Sequence, residues 1–261
     1  MPINGKILAV IPARWSSTRF PGKPIADILG KPMVQWVYEQ AQKASLVHEV
    51  VIATDDKRIY DVVLGFGGNA VMTSPSHNSG TDRVAEVVRN LECDIVVNIQ
   101  GDEPLIPPEN IDLVIEPLLA RDDLSVSTLM IAIHKSSEML DPDICKVVVD
   151  NAGCALYFTR APIPYNRDFD YIEETYSDTK IDSKEWILGF KHIGIYAYKK
   201  SFLPQFINMK VSKLENSEKL EQLRILENRY LIQLVETKQN SIGVDRPEDI
   251  DKVIKAMNGK N

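Results

Sequence analysis

The chain has 261 residues, room for one large α/β domain or a domain with a smaller lobe, since single cores stop growing at roughly 250 to 300 residues. Its composition, 44% hydrophobic and 26% charged, excludes a disordered chain or a fibre. The net charge of -7 argues against general nucleic-acid binding, whose affinity comes from Lys and Arg neutralising phosphates, so any polyanion must meet a local basic patch.

The first apolar run, Lys6 to Ile11, reads as a strand ended by Pro12, and Val34 to Lys43 carries apolar residues at helical spacing. Ile7 to Ile11 is too short for a signal-peptide core. No run approaches the ~20 apolar residues of a membrane span, so the expectation is a cytoplasmic protein without membrane insertion. Glu49 to Thr54 repeats the strand signal, Asp55 and Asp56 offer caps for a helix reaching Phe66, and a short strand is expected at Ala70 to Thr73. A helix from Thr81 to Asn90 and a strand from Asp94 to Gln100 follow. Strands separated by helices of about ten residues imply βαβ units and a Rossmann-like parallel sheet with helices on both faces.

Beyond Pro108 the pattern is mixed. A helix runs to Ala120, and strands are expected at Val126 to Ile133, Cys145 to Val149 and Ala155 to Phe158. Asn166 to Lys184, dense in charge and poor in aliphatics, reads as an exposed insertion without chemistry. Phe190 to Tyr198 and Leu231 to Glu236 are expected strands; Ser217 to Asn228 and Pro247 to Met257 are expected helices. The whole is one domain, with a smaller mixed lobe at approximately 134–200.

Ligands of such sheets bind outside the carboxyl ends of the strands, and the chemistry-bearing residues fall there. Between Pro12 and Pro32, four cations (Arg14, Arg19, Lys23, Lys31) face the single acid Asp27, a local charge of +3 in an acidic protein. With the hydroxyls of Ser16, Ser17 and Thr18 and a permissive Gly22, this stretch suits a phosphate better than a merely solvated turn. It is not a Walker A loop. Gly65 to Ala70 fits GxGxxA, but it follows a helix and precedes a strand, the reverse of a dinucleotide site, and reads as a helix end.

Ser79 to Arg83 opens a helix, so its amides and hydroxyls could hold a base or ribose or simply cap the helix. Asp102, after the strand ending at Gln100, suits magnesium, a hard ion that takes one or two carboxylates plus phosphate oxygens and waters. Asp245, before Pro247, taken alone is better read as a helix cap. The three cysteines (Cys93, Cys145, Cys154) contain no CxxC pair and the four histidines are scattered, which argues against disulfides and zinc.

Taken together, Pro12 to Pro24, Gly30 to Met33, Ala53 to Asp56, Ser79 to Arg83, Asn98 to Pro104 and Gly243 to Asp249 occur in the order of one family. So do Ala155 to Ala161, His192 to Tyr196 and Leu220 to Arg224. The chain resembles the 3-deoxy-manno-octulosonate cytidylyltransferases, also called CMP-Kdo synthetases, over nearly its whole length.

That resemblance implies a fold of the nucleotide-diphospho-sugar transferase type and transfer of CMP from CTP to the anomeric hydroxyl of Kdo, for lipopolysaccharide biosynthesis. It implies that Arg14 and Lys23 contact the triphosphate and act with Asp102 in catalysis, supported by Arg19. Pro12, Ala13, Ser74, Ser79, Gly80 and Asp82 would complete the CTP pocket, with Gln100 at the nucleotide–sugar junction. Asp102 and Asp245 would bind Mg2+, turning Asp245 from a cap into a ligand. Arg160, His192, Tyr196, Glu221 and Gln222 would form the acid-sugar pocket, Arg160 gripping the carboxylate and the others reading hydroxyls. Metal coordination that lowered the pKa of the sugar hydroxyl would make a dedicated side-chain base unnecessary.

The family is typically a homodimer, with the smaller lobe at the interface. Trp15, Pro162 and Tyr165 depart mildly from its pattern. Alternatives are a sister enzyme for 8-amino-Kdo or sialic acid, a glycosyltransferase, disfavoured because no DxD follows Gln100, and a non-catalytic nucleotide-binding module, which would not need both aspartates.

Overall fold

Strand β1 (Ile7–Ala13) is buried throughout except for a half-buried Pro12. Its alternate side chains belong to two cores. Ile7, Ala9 and Ile11 face one helix layer, and Leu8 and Val10 face the other. A strand covered on both faces must be apolar at every position, which is why ILAVI lacks the alternation of a half-exposed strand. The computed structural model describes residues 5–16, 19–77, 79–167 and 187–259. The insertion expected over 166–184 lies, from residue 168 on, outside the described residues.

After β1 come the small hairpin of β2 (Asp27–Ile28) and β3 (Lys31–Pro32), α1 (Met33–Ala41), β4 (Glu49–Thr54) and α2 (Lys57–Gly65). Asp56 starts α2 by accepting from Arg58 N. Strand β5 (Ala70–Met72), α3 (Gly80–Arg89), β6 (Ile95–Asn98), α4 (Pro108–Ala120), β7 (Val126–Ile133) and α5 (Ser136–Leu140) follow. Next are β8 (Lys146–Val149), β9 (Ala155–Thr159), β10 (Gly189–Lys199), and β11 (Ile232–Glu236). Between β10 and β11 lie the helices Leu203–Asn208, Lys213–Glu218 and Leu223–Glu227, and Asp249–Asn258 closes the fold.

One 9-stranded sheet runs β11-β7-β10-β6-β1-β4-β5, with β8 and β9 branching from β10. Pairs β6/β1, β1/β4, β4/β5 and β11/β7 are parallel, while β10 is antiparallel to both β6 and β7. The sheet is therefore mixed and mainly parallel in its first half. Of the described residues expected in a smaller lobe, β8 and β9 form a branch of this sheet, held by pairing of Val147 and Lys146 with Phe190 and Lys191, while β10 itself runs in the main sheet between β6 and β7.

Two expectations need correcting. Pro12 does not end β1, which continues to Ala13 against β4; the missing N–H is tolerated because the β6 register stops at Val10. The single helix expected over 217–228 is two helices. Ser212 and Glu215 form a capping box that starts the first one early, and Lys219 ends it in the left-handed region at φ 56. Leu220 and Leu223 still bury their side chains, so the apolar spacing is met without a continuous helix. The break leaves Glu221 and Gln222 between helices.

Candidate active site

The carboxyl ends of β1 and β6 converge on a cavity of about 560 Å³. Pro12, Ala13, Arg14 and Ser16 form one wall, Ser79, Gly80, Thr81 and Arg83 at the start of α3 another, and Asn98, Gln100, Gly101 and Asp102 the floor. Gly101 is required at the base: a Cβ there would lie 2.8 Å from the carbonyl oxygen of Pro12. The basic loop folds back on itself through the bond from Gly22 N to Trp15 O, 3.0 Å. Gly22 has φ +72, and a Cβ there would lie 3.1 Å from the Trp15 ring, so this position takes only glycine easily. The turn returns Lys23 to the cavity below Arg14.

Lys23 Nζ lies 2.6 Å from Asp102 Oδ2 and donates to the carbonyl of Val244 at 2.8 Å. It also stands 4.0 Å from Asp245 Oδ1, so one ammonium bridges two aspartates that are 143 positions apart in the chain. The backbone bond from Val244 N to Asp102 O, 2.9 Å, locks the two loops together. Arg19 approaches Asp245 at 3.3 Å, but that pair is about 60% exposed on both sides and contributes little.

Asp245 is not a helix cap. Its own N–H and that of Arg246 donate to Asp249, at 3.0 and 2.9 Å. Those bonds and the Lys252 ammonium, the largest influence, hold the Asp249 carboxyl down at about 2. Asp249, the first residue of the last helix, thus ties down the backbone of Asp245 and Arg246, and the Asp245 carboxylate lines the cleft. Beside Asp102, burial first and the Asp102 charge second push Glu103 up to about 7.

Two carboxylates around a bridging cation fit a divalent metal. Among the described residues no three acidic, His or Cys side chains converge. Two carboxylates, with the remaining positions left to phosphate oxygens and water, are a donor set for magnesium rather than for a protein-caged metal.

Beyond Gln100 lies a second cluster. Gln100 Nε2 donates to Gly194 O at 3.2 Å, at a bulge of β10 between Ile193 and Tyr196. Thr128 Oγ1 pins the bulge through Ile193 O and Ile195 O, at 3.1 and 2.7 Å, and meets His192 Nε2 at 2.9 Å. The Tyr196 hydroxyl is buried with no partner at hydrogen-bond geometry among the described residues. Gln222 reaches Cys145 at 3.8 Å. Arg160 is held by carbonyls, at 2.9 Å from Glu218 and 3.0 Å from Pro142.

A family model described as Cytidylyltransferase matches residues 8–237. The chain is 53% identical, over 97% of its length and 98% of the relative's, to a 3-deoxy-manno-octulosonate cytidylyltransferase of Geotalea daltonii. To the protein of that name from Geobacter sulfurreducens it is 49% identical, over 96% of this chain and 99% of that one. It belongs to the 3-deoxy-manno-octulosonate cytidylyltransferase family. A solved structure of CMP:2-keto-3-deoxy-manno-octonic acid synthetase complexed with CTP shares 40% identity and a TM-score of 0.88, covering 98% of this chain and all of that one. A thymidylyltransferase-like structure from Bacillus anthracis, at 12% identity, 96% and 94% coverage and a TM-score of 0.65, shares the fold alone.

Against the pattern of the family, the structure gathers Pro12, Ala13, Arg14, Lys23, Ser79, Gly80, Gln100, Asp102, Glu221 and Asp245 around one cavity. Asp82 is elsewhere: its carboxylate accepts from Ser79 N at 3.1 Å in a capping box, so it shapes the helix start rather than lining the cleft. Ser74 pairs with Ser76 at 2.7 Å and is likewise not on the wall. Arg160, His192, Tyr196 and Gln222 lie behind Gln100 and Glu221 rather than on the cavity lining. Sequence reasoning missed Thr81, Arg83 and Asn98. Asn98 Oδ1 is buried without a partner on the cavity floor, and Arg83 is fixed by Asp55 at 2.9 Å.

The ring of His192 is enclosed by Phe158, Tyr196 and Thr128, and burial pushes it down to about 3. It is a neutral hydrogen-bonding group at working pH. The unfolded chain binds this proton near 6.5, so its stability contribution is complete above 6.5 and is lost as pH falls towards 3. Denaturant titrations of His192→Gln should show about 2 kcal/mol less loss of stability between about pH 7 and pH 5 than the parent. Equal pH slopes would show that the ring is not buried neutral.

Proposed function

We propose that the chain transfers CMP from CTP to the anomeric hydroxyl of Kdo, yielding CMP-Kdo and pyrophosphate, with magnesium as cofactor. The observation that carries this reading is the ammonium of Lys23 between Asp102 and Asp245, at the mouth of a cavity whose far side meets a hydrogen-bonding cluster suited to a sugar acid. The sugar oxygen forms a bond to the α-phosphorus of CTP, the bond from that phosphorus to the bridging oxygen of pyrophosphate breaks, and the hydroxyl proton leaves to solvent.

Arg14 and Lys23 steady the triphosphate and offset charge developing on the departing pyrophosphate. Gly80, in the first turn of α3, presents its backbone N–H to the nucleoside side, beside Ser79, whose own N–H is taken by Asp82. Glu221 and Gln222 read sugar hydroxyls, Tyr196 donates from its orphaned hydroxyl, and Arg160 grips the carboxylate. Asp102 and Asp245 would hold the magnesium, which when bound neutralises phosphate charge as a Lewis acid. The reading includes a cytoplasmic homodimer serving lipopolysaccharide synthesis. Exposed Leu156 (62%) and Tyr165 (83%) in the branch of the sheet suit a subunit contact.

Pyrophosphate release should require CTP, Kdo and a divalent cation, stop with chelator and resume with magnesium; release undiminished by chelator would contradict the metal assignment. Arg160→Ala should raise the Kdo KM about ten- to hundredfold with the CTP KM within about twofold, the cost of a lost charged hydrogen bond. An unchanged Kdo KM would place the carboxylate elsewhere.

A further inference from the structure

One hydrogen bond joins the two halves of the site. Thr81 Oγ1, in the first turn of α3, donates to Glu221 Oε2 at 2.8 Å across 140 positions of sequence. Thr81 is 3% exposed, and its neighbours Ser79 and Gly80 line the nucleotide side of the cavity. The other oxygen of Glu221 accepts from Arg224 Nη2 at 2.8 Å. Arg224 is itself immobilised, with Glu215 at 3.1 Å, the Met209 carbonyl at 3.3 Å and the Phe206 ring at 4.8 Å.

A carboxylate offers about four acceptor sites, so Thr81 and Arg224 together fix its plane and still leave capacity towards the cavity. Without Thr81, Glu221, in the turn between two helices, would keep only Arg224 and the Ser79 side chain as anchors among the described residues. We infer that Thr81 is a positioning residue that couples the two substrates: a nucleotide at the start of α3 stabilises the arrangement in which Thr81 holds Glu221, and the sugar acid then binds more tightly. By linkage the sugar strengthens nucleotide binding by the same factor. This rests on the reading of Glu221 as a contact for sugar hydroxyls.

Calorimetric titration of the full chain tests it, with Kdo as ligand in the absence and presence of the α,β-methylene analogue of CTP, which cannot be cleaved. The parent should bind Kdo about tenfold more tightly with the analogue present, a typical coupling. Thr81→Val should lose most of that gain while binding the analogue alone within about twofold of the parent, and Thr81→Ser should restore it. Coupling retained in Thr81→Val, no coupling in the parent, or loss in both variants would each overturn the inference. Glu221→Gln separates the two readings. Kdo affinity unchanged in that variant removes the sugar role of Glu221 and the coupling with it. A weakened Kdo affinity there, with coupling intact in Thr81→Val, removes only the coupling.

Discussion

Asp102→Asn lowers turnover on the order of 10³-fold at saturating magnesium and leaves CTP binding within about threefold. The substitution keeps the size of the side chain and removes its charge. The metal would then keep one carboxylate, Asp245, whose side chain is 59% exposed and is met by the exposed Arg19 and, at 4.0 Å, by Lys23. The same change frees Lys23 from its 2.6 Å ion pair, so its ammonium stays available to the phosphates, and this is why ground-state affinity survives while turnover does not. Stopped-time assays of pyrophosphate and calorimetry of CTP read the two quantities separately. Turnover near that of the parent would remove Asp102 from the reaction.

Lys23→Ala should reduce kcat by about 10²- to 10³-fold and also raise the KM for CTP, because a cation on the leaving group acts in both the bound and the transition state. Its side chain is 15% exposed, and among the described residues the anions it meets are Asp102 and Asp245, so its removal leaves the aspartates facing the triphosphate without that intervening charge. The ammonium thus has two partners in turn, the carboxylates and then the phosphates. Steady-state kinetics across CTP concentrations check this. A kcat within about threefold of the parent would mean that the loop binds phosphate without assisting its departure.

The centre of the sheet was legible because β1, β4, β6 and β7 are buried almost throughout and read as apolar runs; the strand expected near 126–133 is β7, Val126–Ile133. The basic loop and Asp102 were legible for a related reason, since they follow such runs at the carboxyl ends where clefts form. Asp245 was not, because a local reading assigns the first aspartate before a proline to capping. The helix begins only at Asp249, four residues on, and Asp249 accepts from the Asp245 N–H, so Asp245 lies too far before the helix to cap it. The break at Lys219 was hidden by Leu220 and Leu223, whose spacing suits a helix although the chain turns between them.

Thr81 and Asn98 were missed for another physical cause. Their importance lies in what they meet or fail to meet at long range: a carboxylate 140 positions away for Thr81, and an unpartnered buried oxygen for Asn98. No local propensity encodes either. Conversely, Asp82 carried a local signal that was ambiguous between ligand and cap, and the capping box with Ser79 shows where its carboxylate is used.

Phosphorus NMR of a single reaction with CTP, Kdo and magnesium tests the account most directly. It predicts CMP-Kdo and pyrophosphate in equal amounts, with neither product when UTP or ATP replaces CTP or when Kdo is withheld. Release of inorganic phosphate instead of pyrophosphate, or nucleotide consumption that does not depend on the sugar acid, would contradict it.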